Sequence, residues 1–361
     1  MMKTIKVGNV KTKTFKTLVA LMLLLVSGAV LSINAYAQEK KQLIFASWGG
    51  EYQKALDTYM FIPFCKQAGA EYLTVSPVDY GKIRAMVESG SVEWDVVDLE
   101  TNVAFRGARL NLYEPLDFNI INQPGIPKNY LAKYSMRFIS YTTNMAWNSE
   151  VIGGKTPSTW ADFWNVKSFP GKRSLQDTPY TNLEIGLMAD GVALEDVYPL
   201  TEDKIDRAFA KLDQIKPHIV KWWTSGSEPA QMLAKGEIGM GSTWNTRIGK
   251  FKAEGAPLDQ TYNQGIMQFA SLAIPRGAKN KALAMRAINY ALNAKAQAGV
   301  AQALKYGPPN LDAYKLLDED VVKELNTAPH LLIVQLVIDD EFWGSEKAEP
   351  LYERWATWIL K

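Results

Sequence analysis

Aromatic residues in this sequence gather at predicted turns and strand ends. Trp48 precedes Gly49-Gly50, and Tyr180 lies in the turn-rich run Asp177-Thr178-Pro179-Tyr180-Thr181-Asn182. Trp223 sits in Lys221-Trp222-Trp223-Thr224-Ser225-Gly226, Trp244 is followed by Asn245, and Phe269 precedes Ala270-Ser271. Acids stand among them: Asp98 and Glu100 close the apolar run that starts at Trp94. Ring faces attract an ammonium and bury its methylenes, and a carboxylate matches its charge. These residue types therefore point to recognition of a cation on an apolar chain. Arg247, two residues beyond Asn245, adds a guanidinium suited to a bidentate carboxylate. Each has a plainer role as well: core packing for the tryptophans, a loop acid for Glu100, a surface helix arginine for Arg247, and helix capping for Asp177, Thr181 or Asn182.

Motifs of catalysis are missing. The two histidines, His218 and His330, lie far apart, and no Cys/His cluster has metal-ligand spacing. There is no G-x-S-x-G, no phosphate-binding glycine loop and no H-E-x-x-H. A carboxylate pair could serve a glycosidase, but nothing singles one out. The expectation is a binding protein, not an enzyme, without cofactor or metal.

The elements that position these residues read as α/β. Gln42–Trp48, Tyr72–Val75 and Trp94–Leu99 are predicted strands, separated by predicted helices over Glu51–Ala68 and Tyr80–Glu88. This βαβαβ order predicts a parallel sheet with helices on its faces, and ligands bind beyond the carboxyl ends of such strands. Trp48 and Glu100 fall at such ends. Arg137–Trp147 is long for one strand and predicts a crossover between lobes, with Ser271–Pro275 crossing back. A second unit follows the first crossover: a helix from Thr159, a strand over Gly171–Gln176, a helix over Asp203–Ile215, a short helix over Pro229–Lys235 and a strand over Ile238–Trp244. Lys281–Leu304 reads as one long helix, and Leu351–Leu360 as a last helix with Leu351, Trp355 and Trp358 packed inward. Lobe 1 is expected over 38–143 and 272–361, lobe 2 over 144–271, with the ligand cleft between them.

The first 37 residues carry five lysines and no acid, then an apolar run at Leu18–Val26, then Ala35-Tyr36-Ala37. That is the order of a secretory signal peptide, and the run is shorter than the ~20 residues of a membrane span. Without those lysines, 35 basic residues face 38 acidic ones, so the formal charge passes from +2 to −3. The charge gives no reason to expect nucleic acid. The single cysteine, Cys65, lies among Phe61, Ile62, Pro63 and Phe64 and reads as a buried thiol.

Five stretches carry a resemblance: Pro157–Trp164, Gly236–Asn245, Ser271–Pro275, Ala282–Ala291 and Tyr306-Gly307-Pro308-Pro309-Asn310. Their order and spacing resemble those of the bacterial periplasmic spermidine/putrescine-binding proteins of ABC importers. The resemblance implies a two-lobe, type II periplasmic-binding fold, a periplasmic location, an inner-membrane permease as partner, and a monomer. Trp48 matches the aromatic that follows the family's first strand, and Glu100 a pocket position where the family often has serine. Trp223 matches a Trp-rich segment of the second lobe, and Tyr306 the tyrosine before the Gly-Pro-Pro-Asn turn. Two acids of the family are absent. One is replaced by Ala270 and the other by Thr181 or Asn182, with Glu184 nearby on another face. A diamine needs two anionic partners, because an unpaired buried charge costs several kcal/mol. The expected ligand therefore carries an amine and is a polyamine, an amino-acid-like zwitterion or an opine-like conjugate. The expected site is Trp48, Glu100, Tyr180, Asn182, Trp223, Trp244, Asn245, Arg247, Phe269 and Tyr306. A carbohydrate receptor on the same fold, with tryptophans stacked on sugar faces, is the main alternative, and a periplasmic hydrolase a further one.

Overall fold

A computed structural model describes residues 41–361; the expected signal peptide, 1–37, lies outside them. The three predicted strands form β1 (Gln42–Ala46), β2 (Glu71–Val75) and β3 (Val96–Glu100). They pair in parallel, β1 between β2 and β3. The helix joining β1 to β2 is continuous from Gly50 to Ala68, but Asp57–Phe61 is wound as a π-helix. Pro63 follows within the next turn and offers no N–H to the preceding carbonyls, which accounts for the widened turn there.

The long crossover is β5 (Ser135–Asn148), which follows the two-residue strand β4 (Leu131–Ala132). Its burial is nearly continuous, as a strand covered on both faces requires. β6 (Arg173–Gln176), β7 (Ile219–Trp223) and β8 (Met240–Trp244) form the second parallel group. The return crossover, β9 (Leu258–Ala273), is much longer than expected. Its first half, Asp259-Gln260-Thr261-Tyr262-Asn263-Gln264, lacks apolar alternation because one face is open to solvent. β10 (Leu336–Val337) pairs with β9. The sheet runs in the order 2-1-3-9-5-8-6-7.

β5 and β9 pair antiparallel through both lobes, from Met136↔Leu272 to Asn148↔Leu258. The register slips twice. At the second slip Thr143↔Ile266 is followed by Met145↔Thr261, so residues 262–265 bow out of the ladder. Gln264 sits there at φ 60°, and its side chain and backbone oxygens accept from Trp160 N (2.8 Å) and Nε1 (2.9 Å).

Two cores flank this crossing. The first gathers Leu43, Phe45, Phe61, Trp94, Val97, Leu272 and Ile288. Cys65 is buried in it, and burial pushes its thiol up to about 11. The second gathers Phe163, Leu175, Leu183, Phe209 and Leu212. The expected helix over Lys281–Leu304 is two helices, Lys281–Ala291 and Ala294–Leu304. Asn293 breaks it, because its side chain caps the second helix by accepting from Ala296 N at 2.9 Å. Packing also divides the stretch 272–361: residues 281–304 stay with the first core, while Trp343, Leu351, Trp355 and Trp358 join the second. Among the described residues, no helix is long and apolar enough to cross a membrane.

Candidate functional site

β1, β3 and β8 all end at the crossing, and their carboxyl ends deliver Trp48, Glu100 and Trp244 to one cavity. Tyr52 reaches it from the helix after Gly49-Gly50, Tyr141 from β5, Ala270 from β9, and Tyr306 from the turn after residue 304. The non-atom space among these residues, open solvent included, is about 360 Å³. Four ring contacts form its wall: Trp48–Trp244 at 6.3 Å between centroids, Trp244–Tyr141 at 5.9 Å, Tyr141–Tyr306 at 6.3 Å and Tyr306–Tyr52 at 6.0 Å. A further edge contact at 6.0 Å sets Tyr80 behind Trp48. The Tyr306 hydroxyl accepts from Thr246 Oγ1 at 2.8 Å, tying the turn after residue 304 to the segment after β8. Gly226 permits this packing, because a Cβ there would stand 2.3 Å from the Trp244 ring.

Polar groups on this wall lack partners. Trp244 Nε1 and Arg247 Nε are buried without a hydrogen bond. The Arg247 guanidinium has no ion pair among the described residues; it lies 5.1 Å from the Trp244 ring. It also reaches the helix after β1, where its Nη1 would be 3.8 Å from a Cβ on Gly50. Buried donors without acceptors are costly in a finished fold, and these two face a cavity that a polar solute could enter.

Two carboxylates supply the opposite charge. The half-buried Glu100 side chain takes no hydrogen bond among the described residues. Burial first, and then the Asp340 charge, push its carboxyl up to about 7, while Arg106 pulls the other way. Asp98, fully buried behind it, accepts from Ser47 Oγ at 2.7 Å. Its other oxygen meets no donor at hydrogen-bond geometry, although the Tyr52 and Trp48 side chains lie close enough to favour its charge. Burial outweighs these neighbours and pushes Asp98 up to about 7 as well.

Of the ten expected site residues, Trp48, Glu100, Trp244, Arg247 and Tyr306 meet on this cavity. The other five do not line it. Tyr180 turns inward and donates to Asp340 Oδ1 at 3.0 Å. Asn182 opens the helix Asn182–Ala189 and donates to the carbonyls of Gln176 and Thr178, both at 2.7 Å. Trp223 belongs to a strand rather than a loop, is fully buried, and backs Trp244 at 5.5 Å. Asn245 is consumed by Thr142 N and the Tyr262 hydroxyl. Phe269 points to the opposite face of β9, against Tyr130 and Arg137. Glu184 is also buried, where its Oε1 accepts from Trp343 Nε1 at 2.7 Å and the Tyr198 hydroxyl at 2.8 Å. Tyr52 and Tyr141 were missed. Tyr52 sits two residues past Gly50, on the inward face of the first helical turn, and Tyr141 has the alternation of a crossing strand. Ala270, the position where the resembled family carries an acid, is the Cα partner of Glu100 across β3 and β9.

The chain matches the family described as bacterial extracellular solute-binding protein over residues 60–331. It is 35% identical over 337 residues to the gamma-aminobutyric acid-binding protein of Pseudomonas aeruginosa, covering 92% of this chain and 95% of that one. It is 30% identical over 224 residues to the spermidine/putrescine-binding periplasmic protein of Salmonella typhimurium, covering 62% of each. Among solved structures, the periplasmic-binding protein AgtB from A. tumefaciens R10, in complex with agropinic acid, superposes with a TM-score of 0.82 at 30% identity, over 89% of this chain and 99% of that one.

Proposed function

Starting from the fact that this chain belongs to the family of bacterial extracellular solute-binding proteins, we propose that it captures a small ω-amino acid in the periplasm and presents it to the permease of an ABC importer. One observation carries this reading: unpartnered Arg247 and Glu100 line the same aromatic cavity. The rings and Glu100 hold the ammonium and methylenes, and Arg247 takes the carboxylate. The second ammonium of a diamine would meet the Arg247 charge instead. The similarity to a protein named for binding gamma-aminobutyric acid supports this order of preference. Binding between lobes favours a closed form, which the permease distinguishes from the open one. No turnover is part of this role. The lobes in this reading are 42–143 with residues 272–335, and 144–271 with the C-terminal residues packed on the second core.

A second reading has its own observation. Tyr52 and Arg247 also line a wider, solvent-open groove with Gly50, Asn245, Gln260 and Tyr262, into which a longer, opine-like conjugate could extend. The complex of the similar AgtB with agropinic acid supports keeping it.

Thermal shift on residues 38–361, unfolded and refolded to strip bound solute, separates the readings. The panel holds γ-aminobutyrate, putrescine, spermidine, agropinic acid and maltose. A ligand at a hundred times its Kd adds about 2.7 kcal/mol of stability. The largest shift is expected with γ-aminobutyrate, and Arg247→Gln should abolish it. A shift only with putrescine or spermidine would overturn the zwitterion reading, and one only with maltose would overturn the amine reading altogether.

A further inference from the structure

The floor of the cavity changes polarity from one side to the other. The sheet order sets β3, β9, β5 and β8 side by side. Glu100 of β3 faces Ala270 of β9. Two residues back along β9, Gln268 faces Tyr141 of β5, and two residues on from Tyr141, Thr143 faces Trp244 of β8. The two-residue period keeps these side chains on one face of the sheet. The β3 side offers an acceptor, the Glu100 carboxylate. The β8 side offers donors, Trp244 Nε1 and Arg247 Nε, neither of them hydrogen-bonded. Tyr141 stands between the two sides and lines the cavity, and a tyrosine hydroxyl can act either as donor or as acceptor.

Two side chains beneath it decide which. Thr143 and Gln268 are both fully buried. The Thr143 hydroxyl donates to Gln268 Oε1 at 2.5 Å, a separation that suits O–H···O and is too short for an amide N–H. The amide nitrogen is therefore turned the other way, where Nε2 donates to the Tyr141 hydroxyl oxygen in a longer contact of 3.4 Å. Tyr180 supports the same orientation. Its hydroxyl gives its hydrogen to Asp340 Oδ1 at 3.0 Å, and the Gln268 side chain favours its charged form, as a donor does and an acceptor does not. With its oxygen approached by Nε2, the Tyr141 hydroxyl turns its own hydrogen away from Gln268, and that hydrogen meets no acceptor among the described residues. The Tyr141 ring lies 5.9 Å from the Trp244 ring and the Arg247 guanidinium 5.1 Å from it, so three donors gather around one indole.

We propose that Thr143 and Gln268 are positioning residues, which fix the Tyr141 hydroxyl as a hydrogen-bond donor to the acceptor end of the solute. That end is the carboxylate in the reading given above, on which this inference rests. The solute then lies across the strands, its ammonium over β3 at Glu100 and its carboxylate toward β8, among Tyr141, Trp244 Nε1 and Arg247. A solute with an ammonium at each end would set donor against donor there, so the relay discriminates against diamines without touching them.

The test is calorimetric titration of γ-aminobutyrate and of n-butylamine, which lacks the carboxylate, with melting temperature as the check on folding. Tyr141→Phe should weaken γ-aminobutyrate about tenfold or more, as the loss of a hydrogen bond to a charged group does, and leave butylamine within about twofold. Thr143→Val frees the Gln268 amide to turn and accept from Tyr141, so the preference for γ-aminobutyrate over butylamine should shrink about threefold or more. Thr143→Ser keeps the donor and should keep the preference. In the Tyr141→Phe background, Thr143→Val should leave the preference unmoved. If Thr143→Val does not fold, Gln268→Glu puts an acceptor-only group beneath Tyr141. The preference should then shrink more with the tyrosine hydroxyl present than in the Tyr141→Phe background, which subtracts the effect of the added charge. A merely structural role would weaken both ligands by one factor in every variant, and that result would overturn the inference. So would a preference that Tyr141→Phe reduces but Thr143→Val leaves in place. If wild type does not prefer γ-aminobutyrate to butylamine, the zwitterion reading itself fails and takes this inference with it. If wild type prefers γ-aminobutyrate and Arg247→Gln abolishes that preference while Tyr141→Phe does not alter it, only this inference fails.

Discussion

Glu100 and Glu184 make an instructive pair. Burial pushes both carboxyls up to about 7. Glu184 nevertheless has two donors on one oxygen, Trp343 Nε1 and the Tyr198 hydroxyl, and is sealed in the second lobe. Glu100 has no donor and borders a cavity walled by rings. A raised proton affinity thus marks a buried acid without saying what it does. The surroundings differ: one oxygen of Glu184 is held by two donors inside the second core, although its Oε2 has no partner, whereas Glu100 has no donor and stands where a solute could reach it.

The comparison can be broken most forcefully at Glu184. Glu184→Leu strands the Trp343 and Tyr198 donors in the core, and at 1–3 kcal/mol for each such group it should cost about 3 kcal/mol of stability. A fall in denaturation midpoint with affinity held within about twofold is expected; a variant that melts normally but loses ligand would place Glu184 in the site instead.

Glu100→Gln should do the reverse. Amine affinity at pH 8 should drop more than about tenfold, a loss above about 1.4 kcal/mol, with the ligand-free melting temperature unchanged or higher. Because Ala270 faces Glu100 across the ladder, Glu100→Ala with Ala270→Asp should recover part of the affinity. Titration calorimetry decides both, and no recovery would mean that the position of the charge matters more than its sign.

The smallest effect is that of pH on the ligand-free protein. Asp98, Glu100, Glu184 and Asp340 all hold protons more tightly folded than unfolded. The folded state therefore binds more protons between about pH 4 and 7, and stability falls as pH rises through that window. Melting temperature should be higher at pH 5.5 than at pH 8, and the increment added by an amine should run the other way. A flat profile would mean that these acids are better solvated than their burial implies.

Much of the fold was legible because its signals are local. The apolar runs of β1, β2 and β3 and the single apolar face of the helix Glu202–Ile215 needed no tertiary information. The start of β9 was not legible, since a half-exposed polar strand looks like a loop. Residues at strand ends come together as expected on one cavity, because Trp48, Glu100 and Trp244 lie where the backbones of β1, β3 and β8 stop. Tyr180, Asn182 and Asn245 carry the same side-chain types, but partners from distant parts of the chain, such as Asp340 for Tyr180 and Thr142 for Asn245, claim them. Nothing in local sequence announces such claims.

The C-terminal helix Glu349–Ile359 packs on the second core, whereas β1 opens in the first. In the division of lobes proposed above, the chain passes between them three times, an odd number, so its described ends fall on opposite sides of the cleft. Fluorophores placed near Gln42 and Lys361 would ride on opposite jaws, so energy transfer between them would read out solute capture directly and turn the protein into its own sensor.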